Sequence, residues 1–119
     1  MNNRLSNPVI CIDLKKNRIR IHKITLRQMG NPEYIQLLVN PAAQSMIIRG
    51  CAAGDKFCQK VRMQHLNSDY CYELYSTELL NSMKSVASGW EDKQSYRIYG
   101  SYNRVLDAAL FILRDFEII

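Results

Sequence analysis

The sequence predicts an α+β chain, mostly β with two short helices, and three observations carry that reading. Apolar and polar residues alternate at period two in several short runs, of which Arg18-Ile19-Arg20-Ile21-His22 is the cleanest. Two stretches, Lys23–Met29 and Thr77–Ser88, space their apolar residues as helices do and are followed by glycine. Turn-forming clusters such as Gly30-Asn31-Pro32 fall between the runs and not inside them. A chain of 119 residues fits a single domain, and an apolar content of 47% is enough for a real core.

Taken in order, Pro8–Leu14 reads as a strand with Ile10, Ile12 and Leu14 on one face. Lys15-Lys16-Asn17 is a polar turn into the basic strand, which buries its isoleucines and leaves a cationic face outward. Lys23–Met29 follows as about two helical turns, stopped at Gly30-Asn31-Pro32. Tyr34–Asn40 and Ser45–Arg49 flank Pro41-Ala42-Ala43-Gln44, a hairpin loop. Ala52–Asn67 has no clean period and reads as a connector with one helical turn near Phe57–Val61. The first seven residues are polar and expected to be disordered.

The second half echoes the first. Tyr70–Tyr75 is strand-like, and Ser76 caps a helix from Thr77 to about Ser88 whose stripe is Leu79, Leu80, Met83 and Val86. Gly89 suits its C-terminus. Gln94–Tyr99 alternates again, and Gly100-Ser101-Tyr102-Asn103 reads as a turn. Arg104–Phe116 can be read two ways: Leu106, Ala109, Leu110 and Leu113 stand at helical spacing, whereas Leu110-Phe111-Ile112-Leu113 suits a buried strand. The strand is expected here, because a shift of 53 residues places Ile21 on Leu74, His22 on Tyr75 and Leu26 on Leu79. On that pattern residues 8–50 and 70–119 are two β-α-β-β halves, joined by a connector at 51–69 and closing a small barrel-like core.

Charge is divided unevenly. Residues 1–62 hold eleven bases and three acids, a net +8, while residues 63–119 hold five bases and eight acids, a net −3. Lys15, Lys16, Arg18, Arg20, Lys23 and Arg27 follow one another with no acid among them. Such a cluster attracts polyanions and releases counterions on meeting phosphate, so these six are the candidate nucleic-acid-binding residues. The other half concentrates tyrosines at positions 70, 72, 75, 96, 99 and 102, with Trp90. They suit a protein-interaction surface, the alternative function, or cross-strand core pairs.

Catalytic and metal chemistry find little support. The chain has no Gly-x-Ser-x-Gly elbow, phosphate loop or His-Glu-x-x-His, and the expectation is a non-enzyme without a cofactor. Cys51, Cys58, His65 and Cys71 could just supply four ligands, but no Cys-x-x-Cys clip is present. Reduced thiols acting as small hydrophobes are the expectation instead, in a cytoplasmic protein. The N-terminus lacks the apolar run of a signal peptide, and Ala108–Leu113 is too short to cross a bilayer.

Arg18-Ile19-Arg20-Ile21-His22-Lys23, Leu26, Met29-Gly30, Tyr34-Ile35-Gln36-Leu37 and Met46-Ile47-Ile48-Arg49 together resemble the AbrB-like swapped-hairpin (transition-state regulator) family over residues 17–50. The resemblance implies a strand, a short helix and a hairpin as one half of a compact barrel. Two halves interlock in that family, usually from two chains, and its basic side chains face DNA. It implies a small DNA-binding, transcription-regulating protein, with DNA favoured over RNA. Both an internal repeat and a homodimer fit the pattern.

Overall fold

The computed structural model describes residues 7–61, 71–87 and 89–119. Among them the order is β1 (Val9–Asp13), β2 (Arg18–His22), α1 (Lys23–Gln28), β3 (Tyr34–Asn40), β4 (Ser45–Gly50) and β5 (Gln59–Lys60). Then come β6 (Cys71–Tyr75), α2 (Thr77–Val86), β7 (Ser95–Tyr99), β8 (Ser101–Asn103), β9 (Ala108–Ile112) and β10 (Phe116–Ile118). The expected disorder of the first residues and the expected connector beyond Val61 fall largely outside the described residues.

The strands form two antiparallel five-stranded sheets, β10-β7-β1-β2-β6 and β5-β3-β4-β9-β8. Both are open, which corrects the expectation of a closed barrel. β1 stands between β2 and β7, and the edges are left to β10, β6, β5 and β8. The inner faces meet in one apolar cluster that includes Ile10, Ile12, Ile19, Ile21, Tyr72 and Ile98 from the first sheet. Ile35, Met46, Ile48, Ala109 and Phe111 enter it from the second. Each such buried branched or aromatic side chain contributes about 1.5–3 kcal/mol of transfer free energy.

The period-two reading fixes these faces correctly because one face of each strand is covered and the other is wet. Ile19 and Ile21 are buried between half-exposed Arg18, Arg20 and His22. α1 is short, but Thr25 anchors it: its hydroxyl accepts the Val9 N–H at 2.9 Å and donates to the Val9 carbonyl at 3.2 Å. α2 starts as expected, with Ser76 Oγ accepting the Leu79 N–H at 3.2 Å. Leu80 and Met83 are buried beneath it.

Two turns of sequence reasoning need correction. Ser101–Asn103 is strand β8, and the chain turns at residues 104–107 before β9. The whole run from Ser95 to Asn103 is extended, interrupted only at Gly100, where the chain leaves one sheet for the other. A Cβ at Gly100 would lie 2.4 Å from the Leu110 carbonyl oxygen and 2.7 Å from the Phe111 ring, so this crossing requires glycine. The helical turn expected near Phe57–Val61 is instead the short strand β5, paired with β3 at Tyr34 and Ile35.

The β3–β4 and β8–β9 hairpins share one construction. Asn40 pairs with Ser45 and Asn103 with Ala108, an offset of 63 residues (40 to 103) that holds for the rest of the β8–β9 register. Asn40 Oδ1 accepts the Ala43 N–H, Asn103 Oδ1 accepts the Leu106 N–H, and both Gln44 and Asp107 sit at φ 50°. The β1–β2 turn is built similarly, with Asp13 Oδ1 accepting from Lys15 and Lys16 and Asn17 at φ 53°.

Candidate nucleic-acid interface

The six candidate bases lie along one continuous turn, strand and helix, but the structure gives them different surroundings. Lys15 and Lys16 are exposed on the β1–β2 turn, and Arg27 is exposed on α1. Lys23 is half-buried at the start of α1. Arg18 and Arg20 lie between these ends, on the outer face of the first sheet.

That outer face is a checkerboard of charge. One row across the sheet runs Glu117, Arg97, Cys11, Arg20, Glu73 by strand register. The next contains Asp13, Arg18 and Tyr75. Arg18 Nε donates to Asp13 Oδ2 at 3.0 Å and its Nη1 to Glu73 Oε1 at 3.2 Å. Arg20 Nε is 3.9 Å from the same Glu73 oxygen, and Arg97 Nη1 donates to Glu117 Oε1 at 3.1 Å. The strand face expected to be plainly cationic therefore carries acids interleaved with its arginines.

The ionisation of the row follows from these contacts. Burial alone would raise the Asp13 carboxyl, but the Lys16 N–H, the Arg18 guanidinium and the Lys15 N–H outweigh it and hold it below its ordinary value. Burial opposes the charge on Arg18, and the Tyr75 hydroxyl, Asp13 and Glu73 together reverse that, keeping it firmly protonated. Arg97 behaves alike, with Glu117 and Cys11 opposing its burial.

Sequence reasoning missed Asp13, Glu73 and Arg97 as parts of this face. Asp13 had a local signal, since an Asp ahead of Lys-Lys-Asn is a common turn acceptor. Glu73 had a long-range one: the 53-residue shift that aligns Ile21 with Leu74 also aligns Arg20 with Glu73. Lys93 was also overlooked. The Leu14 N–H donates to the Gln94 carbonyl at 3.1 Å, bringing exposed Lys93 beside the Lys15-Lys16 turn, with exposed Glu91 and Asp92 near it.

The tyrosines divide between core and surface. Tyr72 and Tyr96 are buried, and Tyr96 stacks on Trp90 at 5.4 Å and meets Phe116 edge-on at 4.9 Å. Tyr102 donates to Asp107, and Tyr75 is largely exposed. The cysteines depart from expectation: Cys51 and Cys58 form a disulfide, which removes both from any shared metal site, while Cys11 and Cys71 take part in no disulfide. His65 lies outside the described residues. Among the described residues no group of three or more metal-ligating side chains comes together, and no helix is long and apolar enough to cross a membrane.

No protein-family model, curated protein or solved structure matches the chain.

Proposed function

We propose that the chain binds nucleic acid, DNA in preference to RNA, as a small regulatory protein that contacts phosphates through the two ends of β2. The observation that carries this reading is the placement of exposed Lys15 and Lys16 before β2 and exposed Arg27 after it. The strand between them, four residue steps of roughly 3.3 Å, is about 13 Å long, of the same order as the ~12 Å width of a B-DNA major groove. Bases placed beyond the two ends of such a strand suit phosphates on either side of a groove. Contacts of this kind position the protein and dominate affinity.

On this reading Arg18 and Arg20 are oriented by Asp13 and Glu73 and stiffen the strand between the contacts. The two halves are copies of one β-α-β-β unit, as the resemblance to the AbrB-like family implies. The equal hairpin registers and the matched Asn40 and Asn103 turns support that duplication. One chain then supplies both halves, and the acidic second copy is the diverged partner.

The test is charge reversal at each end. Lys16→Glu and Arg27→Glu, both at exposed positions, are compared with the unaltered chain on labelled duplex DNA and single-stranded RNA by fluorescence anisotropy. Each reversal weakens duplex binding several-fold, with the double variant weaker than either. Affinity unaffected by both reversals removes the reading.

A further inference from the structure

Among the described residues, strand β3 leaves much of its outer edge uncovered. β5 pairs only with Tyr34 and Ile35, and among the described residues no strand lies beside Gln36–Asn40 on that side. Natural sheet edges are blunted by charged side chains, proline, bulges or extreme shortness. The free part of β3 is Gln36-Leu37-Leu38-Val39-Asn40, five residues without a charge or a proline, in unbroken register with β4. The other edges are protected: β5, β8 and β10 are two or three residues long, and β6 carries Glu73 at its centre.

This edge forms one wall of an open groove of about 460 Å³. The other wall is the first part of α2, contributing Glu78, Leu79 and Ser82, and Phe57 stands at the rim. Phe57 is 69% exposed and held at φ 59°, a left-handed conformation rare for a bulky side chain. The Cys51–Cys58 disulfide closes the loop that holds it there, and Gln36 Nε2 donates to the Lys56 carbonyl at 2.6 Å, tying that loop to β3. An exposed, fixed aromatic at the rim of an apolar groove has the character of a binding anchor.

We propose that this groove takes an extended peptide segment of a partner protein, added to the free edge of β3 as a further strand. The open N–H and C=O groups of Gln36–Asn40 supply main-chain pairing, and alternate apolar side chains of the peptide seat against Val39, Leu79 and Phe57. Glu78 is the charged residue of the groove wall, and no hydrogen bond or ion pair engages its carboxylate among the described residues. A lysine or arginine in the peptide is its complement. The site is independent of the bases around β2 and stands or falls apart from nucleic-acid binding.

The experiment selects a phage-displayed library of random twelve-residue peptides on the full chain with its disulfide intact. The expected result is enrichment of alternating apolar sequences carrying a basic residue. A synthetic peptide of the enriched sequence then shifts the amide resonances of Gln36–Asn40. Glu78→Lys, at an exposed helix position, weakens its binding about fivefold, the scale of one exposed ion pair. Leu38→Lys, a second variant that puts a charge on the edge itself, also weakens it. No enrichment, resonance shifts confined to other strands, or binding indifferent to both substitutions overturns the proposal. Concentration-dependent self-association that uses this edge in place of a peptide overturns it too.

Discussion

Arg20 faces Glu73 across the β2–β6 ladder, each being the central residue of its five-residue strand, 53 residues apart in the chain (20 to 73). Ile47 and Leu110 stand in the same relation at the middle of the β4–β9 pairing, 63 residues apart (47 to 110). An antiparallel pair has a local twofold at its centre, so a residue that meets its own counterpart there is what two related halves would produce. The offset lengthens between these pairs because α2 is ten residues long against six for α1 and a longer loop follows it.

Glu73 holds two arginines, so removing its charge has opposite consequences for stability and for binding. Glu73→Gln is expected to cost about 1 kcal/mol in urea denaturation, the scale of a partly exposed ion pair. It should also tighten duplex DNA binding about threefold at low salt, because positive charge on β2 is unmasked. A loss of DNA affinity without loss of stability would contradict the placement of Glu73 as a counter-charge.

Asp13 makes stability depend on acid in a defined direction. Its folded value lies below the ordinary 3.8, so its contribution is complete above that value and disappears as pH falls through the lower folded value. Asp13→Asn keeps an acceptor for the Lys15 and Lys16 N–H groups but loses the ion pair to Arg18. We expect a deficit of about 1 kcal/mol at pH 7 that narrows toward pH 2. Urea midpoints of both proteins across that range check it, and a deficit constant with pH would refute the assignment.

Gly100→Ala places a methyl group against the Leu110 carbonyl and the Phe111 ring, where the chain passes between sheets. Overpacking of this kind costs about 1–3 kcal/mol, so the melting temperature should fall by roughly 4–12 °C. Gly54→Ala meets no atom within 4 Å and serves as the control, with only its positive φ to strain it. Equal effects of the two substitutions would argue against the close approach.

Reducing the Cys51–Cys58 bond, which spans a sequence separation of seven, should lower stability by about 2 kcal/mol on the chain-entropy account. Denaturation with and without dithiothreitol reads this directly, and Cys51→Ser should reproduce it without reductant. The same stability in both states would mean that the loop stays closed without its bridge.

The local periods in the sequence located most of the strands well. Tyr34–Asn40 and Ser45–Arg49 emerge as the β3–β4 hairpin almost residue for residue, because apolar alternation and the proline turn agree there. The last segment was harder. Leu106 is exposed on a turn, yet it sits at a spacing that completes a helical stripe with Ala109, Leu110 and Leu113. Pairing with β4, sixty-odd residues away, on one side and with β8 on the other makes Ala108–Ile112 a strand. The disulfide left no mark in the spacing of the cysteines, and the barrel failed because, among the described residues, the edge strands β10 and β6 of one sheet pair with neither β5 nor β8 of the other. For the candidate site, the run of bases was legible from local pattern, whereas the counter-charge of Glu73 was marked only by the 53-residue shift. Glu73 reaches Arg18 from a strand far along the chain, and no local pattern around Arg18 announces it.

The most direct test measures binding to a labelled DNA duplex by anisotropy over a salt series, for the unaltered chain and for Lys15→Ala/Lys16→Ala. The account predicts binding that weakens steeply with salt, and a log–log slope shallower by about 1.8 in the variant, the loss of two phosphate contacts. No binding at low salt, or the same slope in both proteins, would contradict phosphate contact at the β1–β2 turn.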